Sequence, residues 1–473
     1  MTDEESRGPR ISENPENVGD QDRLTVEADT VVPSAALVRR GWAASTFESF
    51  HYRDFSLFWS GALVSNVGTW MQNAALAIVV YSLQPANASL NTGIVQGVAG
   101  LPVLFLAIPA GAVADRVDRR KLLIWVQVVL LVQAAAIGVL YDTTVLSAAR
   151  PILSLVLVAS LGLVGGIFVA FQGPAFQSML PDLVPRKSLM NGIALNSAQL
   201  QSSRMLGPAI VAGMVLVGAG MGLVFYINAA SFLFVIAALL AIRPRAEFHA
   251  GHGAGAPHLA AETPTAWQTL MAGVTYAREH SAIGVLLLTT ALLVFLGFPY
   301  VIILTAIIHT RFGGVESEVG RLYAIVYTFN GLGALIGALG IAGLRPSIKR
   351  ERIIPVALLA FAALIIAFSF APTIPIMCLC TTLAGAVYIA TSSLVMTSIQ
   401  AAVPGHLRGR VMALFMMSFM GVMPLSAFAF GPLGQAIGPE RAVLLGGVLL
   451  FAWAALLALR PSWLKVVSPA SSV

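Results

Sequence analysis

Charge is what this 473-residue chain has least of: Asp, Glu, Lys and Arg make up 11% of it, against 57% hydrophobic residues. Soluble domains carry roughly 25% charged residues, so a series of soluble domains is excluded. Cysteine is nearly missing as well. The two present, Cys378 and Cys380, share one apolar stretch with no His nearby, which leaves packing rather than a disulfide framework or a metal site. Carboxylates are absent from the interiors of the apolar segments. The acids at their ends include Asp54, Asp115, Asp142 and Asp182, so a proton driving any process would have to bind near an end, at Asp54 or Asp182. No G-x-x-x-x-G-K-[ST] loop occurs, which argues against direct drive by ATP. The apolar segments show no nucleophile–base pair and no metal cluster, so neither enzyme chemistry nor a cofactor is expected. Lysine supplies only four of the 28 basic residues, a bias that points to a GC-rich bacterial genome.

Long apolar runs are what the chain does have. From Phe55 to Ala114, sixty residues pass without an Asp, Glu, Lys, Arg or His. A bilayer crossing takes about 20 residues, so this stretch accommodates two crossings and a turn. Twelve such segments are expected, at 57–83, 92–114, 121–141, 151–176, 188–217, 221–242, 282–308, 320–344, 353–371, 373–401, 411–436 and 440–460. The fold class is therefore an all-α polytopic membrane protein. With the N-terminus inside, the inner connections and C-terminal tail hold seventeen Lys and Arg, and the outer loops hold four: Arg150, Arg311, Arg321 and Arg441. That bias places both termini in the cytoplasm and supports an even number of spans. The net charge of +6 follows from these loops and is no sign of a nucleic-acid partner.

Residues 1–45, with nine acids, five arginines and no signal-type apolar region, are expected to be a disordered cytoplasmic tail. Residues 46–242 would form one six-helix bundle, 243–281 a flexible cytoplasmic linker, 282–462 a second bundle, and 463–473 a C-terminal tail. The halves look like decayed copies. Leu183-Val184-Pro185 before segment 5 is echoed by Ala402-Val403-Pro404 before segment 11. Paired bundles of this kind suit a transporter that rocks about a central site.

The stretch Gly111-Ala-Val-Ala-Asp115-Arg116-Val-Asp118-Arg119-Arg120-Lys121 resembles the loop between helices 2 and 3 of major facilitator superfamily transporters. The resemblance covers roughly 50–465. Phe50-His-Tyr-Arg53-Asp54-Phe55, Ser65-Asn66-Val-Gly68-Thr69-Trp70-Met71 and Arg204-Met-Leu-Gly207-Pro208 bring it closest to the drug and siderophore exporter branch, which includes macrolide-efflux and enterobactin-export proteins. What the resemblance implies is two six-helix bundles and export of an amphipathic small molecule by alternating access, coupled to protons, in a bacterial cytoplasmic membrane, by a monomer. An uptake permease of the same fold, or a transporter-derived sensor or scaffold that no longer cycles, are the alternatives. Asp118 stands where the superfamily commonly has Gly, and Thr69 where some branch members carry an acid.

The resemblance also makes Gly111, Asp115, Arg116, Arg119, Arg120 and Asp182 a conformational latch, with Arg119 paired to Asp182. The alternative is that these charges only stop helices at the headgroups. Candidate cavity residues are Asn66, Thr69, Trp70 and Asn73 on segment 1, Gln172 on segment 4, Gln201 and Arg204 on segment 5, and Tyr327 and Asn330 on segment 8. Amides, hydroxyls and aromatics in apolar surroundings suit an amphipathic ligand, although small polar groups also join membrane helices. A guanidinium inside a bilayer costs roughly 2.5–3.5 kcal/mol on insertion scales, so Arg204 must face a cavity or a partner. It is either an anchor for an anionic or carbonyl-rich ligand or a structural hub. Gly207, Pro208, Gly331, Gly431 and Pro432 are expected to serve close packing or bending.

Overall fold

The computed structural model describes residues 47–242, 266–342 and 350–464. The expected N-terminal tail, most of the C-terminal tail and the first part of the linker lie outside the described residues. Helices account for nearly all the rest, with no strand among the described residues. In a bilayer core only a helix satisfies every backbone polar group within its own segment, so a chain with these apolar runs has little choice.

The long helices are α1 (Arg53–Leu83), α2 (Ala88–Arg116), α3 (Arg119–Asp142), α4 (Pro151–Met179), α5 (Arg186–Leu216) and α6 (Met221–Ala241). After them come α7 (Ser281–Gly297, continued by Pro299–Ile302 and Leu304–Phe312), α8 (Glu316–Ala342), α9 (Arg350–Ser369) and α10 (Ile374–Ala402). α11 runs Gly405–Met416, widens into a π turn over Met417–Gly421 and resumes as Val422–Ile437; α12 is Pro439–Leu459. Eleven of these are apolar and long enough to cross a membrane. The twelfth, α5, is 31 residues long but carries Arg186, Lys187, Arg204 and a run of amides and serines. It packs against α1 and α8.

Two corrections to the expected boundaries follow. The linker is not featureless throughout, because Ala266–Glu279 is helical and Tyr276 stacks on His280 with ring centroids 4.0 Å apart. Its Gly273 packs on the Arg410 backbone and Leu414 of α11. α8 begins at Glu316 rather than near 320, so Glu316 and Glu318 belong to its first turn.

Within the first group of helices, α1 packs on α6, α2 on α4 and α3 on α6; within the second, α8 packs on α10 and α9 on α12. The groups meet along α2–α11 and α5–α8. The face at which α6 ends and the Ala266–Glu279 helix lies is called the linker face; the opposite one is the far face. Close approach is set by glycine. A Cβ on Gly93 would stand 2.6 Å from Gly431 Cα and from the Ala427 carbonyl oxygen, and one on Gly331 would stand 2.6 Å from Met205 Cα. At the linker face, Asp118 caps α3 by accepting from the Arg120 and Lys121 amides at 3.0 and 3.1 Å. That gives the departure from glycine at this position a local purpose.

Candidate functional site: a polar cavity between the helix groups

A cavity of about 350 Å³ opens between α1, α2, α3, α4 and α6 on one side and α7, α8 and α11 on the other. Its polar lining is Thr69, Gln72 and Asn73 from α1, Thr92 and Gln96 from α2, Gln133 from α3, Gln172 from α4, Asn228 from α6, and Tyr323 and Tyr327 from α8. Trp70, Phe298, Val301 and Met423 are among the apolar lining. No charged side chain belongs to the described lining.

A chain of carboxamides organises the wall. Asn228 Nδ2 donates to Gln72 Oε1 at 2.8 Å, and Gln72 Nε2 donates to Gln133 Oε1 at 3.3 Å. Ser231 Oγ donates to Asn228 Oδ1 at 3.2 Å. The absence of a side chain at Gly68 makes room for Asn228 and Ser231. In apolar surroundings an unpaired amide costs about 1–3 kcal/mol, so linking the three in series holds α1, α3 and α6 in one register while leaving hydrogen-bonding capacity toward the cavity.

Of the residues expected to line a cavity, Thr69, Trp70, Asn73, Gln172 and Tyr327 do so, while Asn66, Gln201, Arg204 and Asn330 lie outside the lining. Helical geometry explains the split on α1, where Asn66 is about two turns nearer the linker face than Asn73. Asn330 is only 2% exposed and donates to Tyr300 Oη at 2.6 Å. Arg204 lies behind the wall, its guanidinium carbon 5.3 Å from the centroid of Trp70. Sequence reasoning missed Gln133, Asn228, Thr92 and Gln96. The available signal was an amide or hydroxyl side chain inside an otherwise apolar helix.

At the linker face Arg119 Nη1 lies 3.4 Å from Asp182 Oδ2 and donates to the Ser178 carbonyl oxygen at 3.2 Å. Arg120 Nη2 donates to the Leu240 carbonyl oxygen at 2.8 Å. Gly111 has open space where a Cβ would stand. The side chains of Asp115 and Arg116, the other charges of the expected latch, lie outside the described residues. Gly207 packs on Trp70 and Met71 of α1, Gly331 on the Arg204–Met205 backbone, and Gly431 on Gly93 and the Ser89 carbonyl. Pro208 and Pro432 sit inside α5 and α11.

The far face is closed by contacts that join the two groups. Tyr81 Oη and His309 Nδ1 are 2.7 Å apart, and Gln435 Nε2 donates to the Ala86 carbonyl at 3.0 Å. The α2–α11 glycine contacts run from Ser89 and Gly434 to Leu104 and Gly421. Beside them, within the second group, Arg311 donates to the carbonyls of Ala371 and Ser369 at 2.7 and 2.6 Å and lies 3.8 Å from Glu440.

Twelve helices in two groups around a central polar cavity define a major facilitator transporter, a multi-pass membrane protein. Among solved structures, a bacterial homologue of the human lysosomal transporter Spinster matches with a TM-score of 0.62 at 16% identity, covering 88% of this chain and 99% of that one. The xylose transporter XylE from E. coli matches with a TM-score of 0.60 at 13% identity, covering 85% and 95%. Residues 44–467 match the family described as transmembrane secretion effector, and the chain belongs to that family. It is 24% identical over 392 residues to a staphyloferrin A transporter of Staphylococcus aureus, spanning 83% of this chain and 92% of that protein. It is likewise 24% identical to the multidrug efflux pump Tap of Mycolicibacterium fortuitum, spanning 80% and 87%, and to the enterobactin exporter EntS of Escherichia coli, spanning 70% and 73%.

Proposed function

We propose that this chain exports an amphipathic small molecule across a bacterial cytoplasmic membrane by alternating access, as a monomer driven by the proton gradient. The observation that carries the proposal is the uncharged, carboxamide-lined cavity between two helix groups that touch at the far face. A cavity of this chemistry accepts a ligand that is mostly apolar and makes a few hydrogen bonds. The names of two relatives, an efflux pump and an exporter, support outward movement, and the third is named a transporter.

The linker face is cytoplasmic, in keeping with the bias of basic residues toward it. The conformer is then closed to the outside, with the cavity loading from the cytoplasm. Residues 53–242 and 281–464 act as the two rocking bodies, separating at Tyr81–His309 and along α2–α11 when the cavity turns outward. The Asp115 loop, with Arg119 and Asp182, steadies the linker face in the opposite state. Protons bind at the membrane ends of the helices, at Asp54 or Asp182, because the described carboxylates all sit at helix ends.

Cells lacking and cells overproducing the protein, with and without a protonophore, test this directly. Mass spectrometry of the medium reports which metabolites and added lipophilic drugs leave. Export of one compound that rises with the protein, and stops with the protonophore or with Asp115→Asn, is the expected result. Absence of protein-dependent flux over a broad panel refutes export and favours a non-cycling sensor.

A further inference from the structure

Arg204 is a half-buried cation without a counter-charge among the described residues. It sits in the middle of α5, where the Arg204–Met205 backbone meets Gly331 of α8. Its Nε is shut off from solvent and has no hydrogen-bond partner, and it forms no ion pair among the described residues. The face of Trp70, 5.3 Å from the guanidinium carbon, gives it a cation–π contact. A cation–π contact recovers about 0.5–2 kcal/mol, less than the 2.5–3.5 kcal/mol that insertion scales assign to a bare guanidinium in a membrane.

The groups around it are hydrogen-bond donors. Tyr300, Tyr327 and Tyr388 lie within electrostatic reach of the guanidinium, and each is no more than 5% exposed. Tyr300 Oη accepts from Asn330 Nδ2 at 2.6 Å, which frees the Tyr300 proton for another acceptor. The hydroxyls of Tyr327 and Tyr388 have no hydrogen-bond partner among the described residues. Asn330 Oδ1 is also buried and unpartnered. One positive charge and three phenols, drawn from both helix groups, share a neighbourhood where the described structure offers no acid.

We propose that Arg204, with Tyr300, Tyr327 and Tyr388, is a subsite for a single carboxylate carried by the exported amphiphile. The inference rests on the cavity being the cargo site, and it adds the class of cargo: an amphipathic monoanion whose body occupies the amide-lined cavity. Trp70 lines the cavity and also carries the Arg204 guanidinium against its ring, and Tyr327 stands 6.3 Å from it edge to face, so a ligand packed on these two rings points its acidic end toward Arg204. The planar fork of a guanidinium matches the two oxygens of a carboxylate. A phosphate monoester brings close to two charges at neutral pH and would leave one of them buried without a partner. Because the donors come from α5 on one side and α7, α8 and α10 on the other, a bound carboxylate also ties the groups together at the centre.

The test uses three fluorescent probes with one hydrophobic body: 1-pyrenebutyrate, uncharged 1-pyrenebutanol and cationic 1-pyrenebutylamine. Binding to the purified full-length protein in detergent is followed by fluorescence polarisation, and efflux is measured separately in proteoliposomes. A charge-assisted hydrogen bond predicts that the acid binds about tenfold or more tightly than the alcohol, with the amine weakest. Arg204→Gln brings the acid-to-alcohol ratio to within about twofold of unity, whereas Arg204→Lys keeps part of the preference. Tyr388→Phe, a variant that keeps the ring, lowers acid affinity about three- to tenfold and carries the test if Arg204→Gln does not purify as a folded protein. Equal binding of acid and alcohol, or a preference that survives these substitutions, overturns the subsite while leaving export of the alcohol intact. Failure of all three probes to bind or move overturns the subsite and the export proposal together.

Discussion

Tyr81 and His309 meet side chain to side chain at 2.7 Å across 228 residues of sequence, tying the last turns of α1 to the last turns of α7. Tyr81 is 2% exposed and its ring stands 5.3 Å from the imidazole. In the proposed alternating access the pair breaks when the far face opens, so its removal weakens one conformer selectively. Replacing Tyr81 by Phe removes the hydroxyl alone. At about 1 kcal/mol for a hydrogen bond of this kind, the closed population falls relative to the open one by roughly fivefold. Spin labels at the far ends of α1 and α7, read by pulsed electron resonance, would show the longer distance gaining weight. An unchanged distance distribution would count against a gating role for the pair.

Gly93 and Gly431 give a sterner version of the same test. A valine at Gly93 puts a Cβ about where Gly431 Cα and the Ala427 carbonyl already are. Overpacking of a tight contact costs about 1–3 kcal/mol, and here the strain falls on the closed far face alone. Gly93→Val is expected to hold that face open. A cysteine placed at Gln435 in this background would then react with a membrane-impermeant maleimide at least several times faster than in the parent.

Asn228 and Gln133 hold Gln72 from two sides. Changing Asn228 to Leu leaves the Gln72 carbonyl without its donor, at a cost of about 1–3 kcal/mol if no water replaces it. Because the chain faces the cavity, the expected signature is a raised KM and an altered ranking of exported compounds, together with a modest drop in Tm. A fall in Tm with the ranking intact would make the amides structural only.

Arg119 and Asp182 separate a latch from a surface ion pair. Their side chains are 39% and 22% exposed, and exposed pairs contribute about 0–1 kcal/mol. Arg119→Gln should therefore leave thermal stability nearly unchanged. A loss of transport well beyond that small change is what a conformational latch requires, and the Asp182→Asn variant should then add little to Arg119→Gln in a double-mutant cycle.

The architecture was legible in the sequence wherever one physical effect dominated. Sixty uncharged residues from Phe55 to Ala114 leave α1 and α2 as the main possibility, and the Asp115–Lys121 cluster marks the return to water. Asp182 and Arg119 were legible as a pair because each stands at the linker-face end of its helix. Other features depend on tertiary contacts. His309 lies just past the apolar run of its helix, and Tyr81 reads as one more aromatic in an apolar segment, so their meeting has no local signal. The π turn of α11 keeps apolar residues on both sides and leaves no mark in composition. Ala266–Glu279 was hidden by the Gly- and Pro-rich stretch before it. Asn66 and Asn73 both lie on the polar sector of α1, but only the depth at which the groups part decides that Asn73 lines the cavity.

The far face is sealed by glycine backbones in contact and by a tyrosine–histidine hydrogen bond, with no ion pair between the groups among the described residues. The linker face carries Arg119, Arg120, Lys121 and Asp182. Dissolved ions screen exposed charges within about 8–10 Å under ordinary conditions and leave apposed backbones untouched. The two faces thus respond to different variables. Under the proposed alternating access, ionic strength and anionic headgroups would act on the linker face, whereas the far seal would answer to lateral pressure and lipid packing.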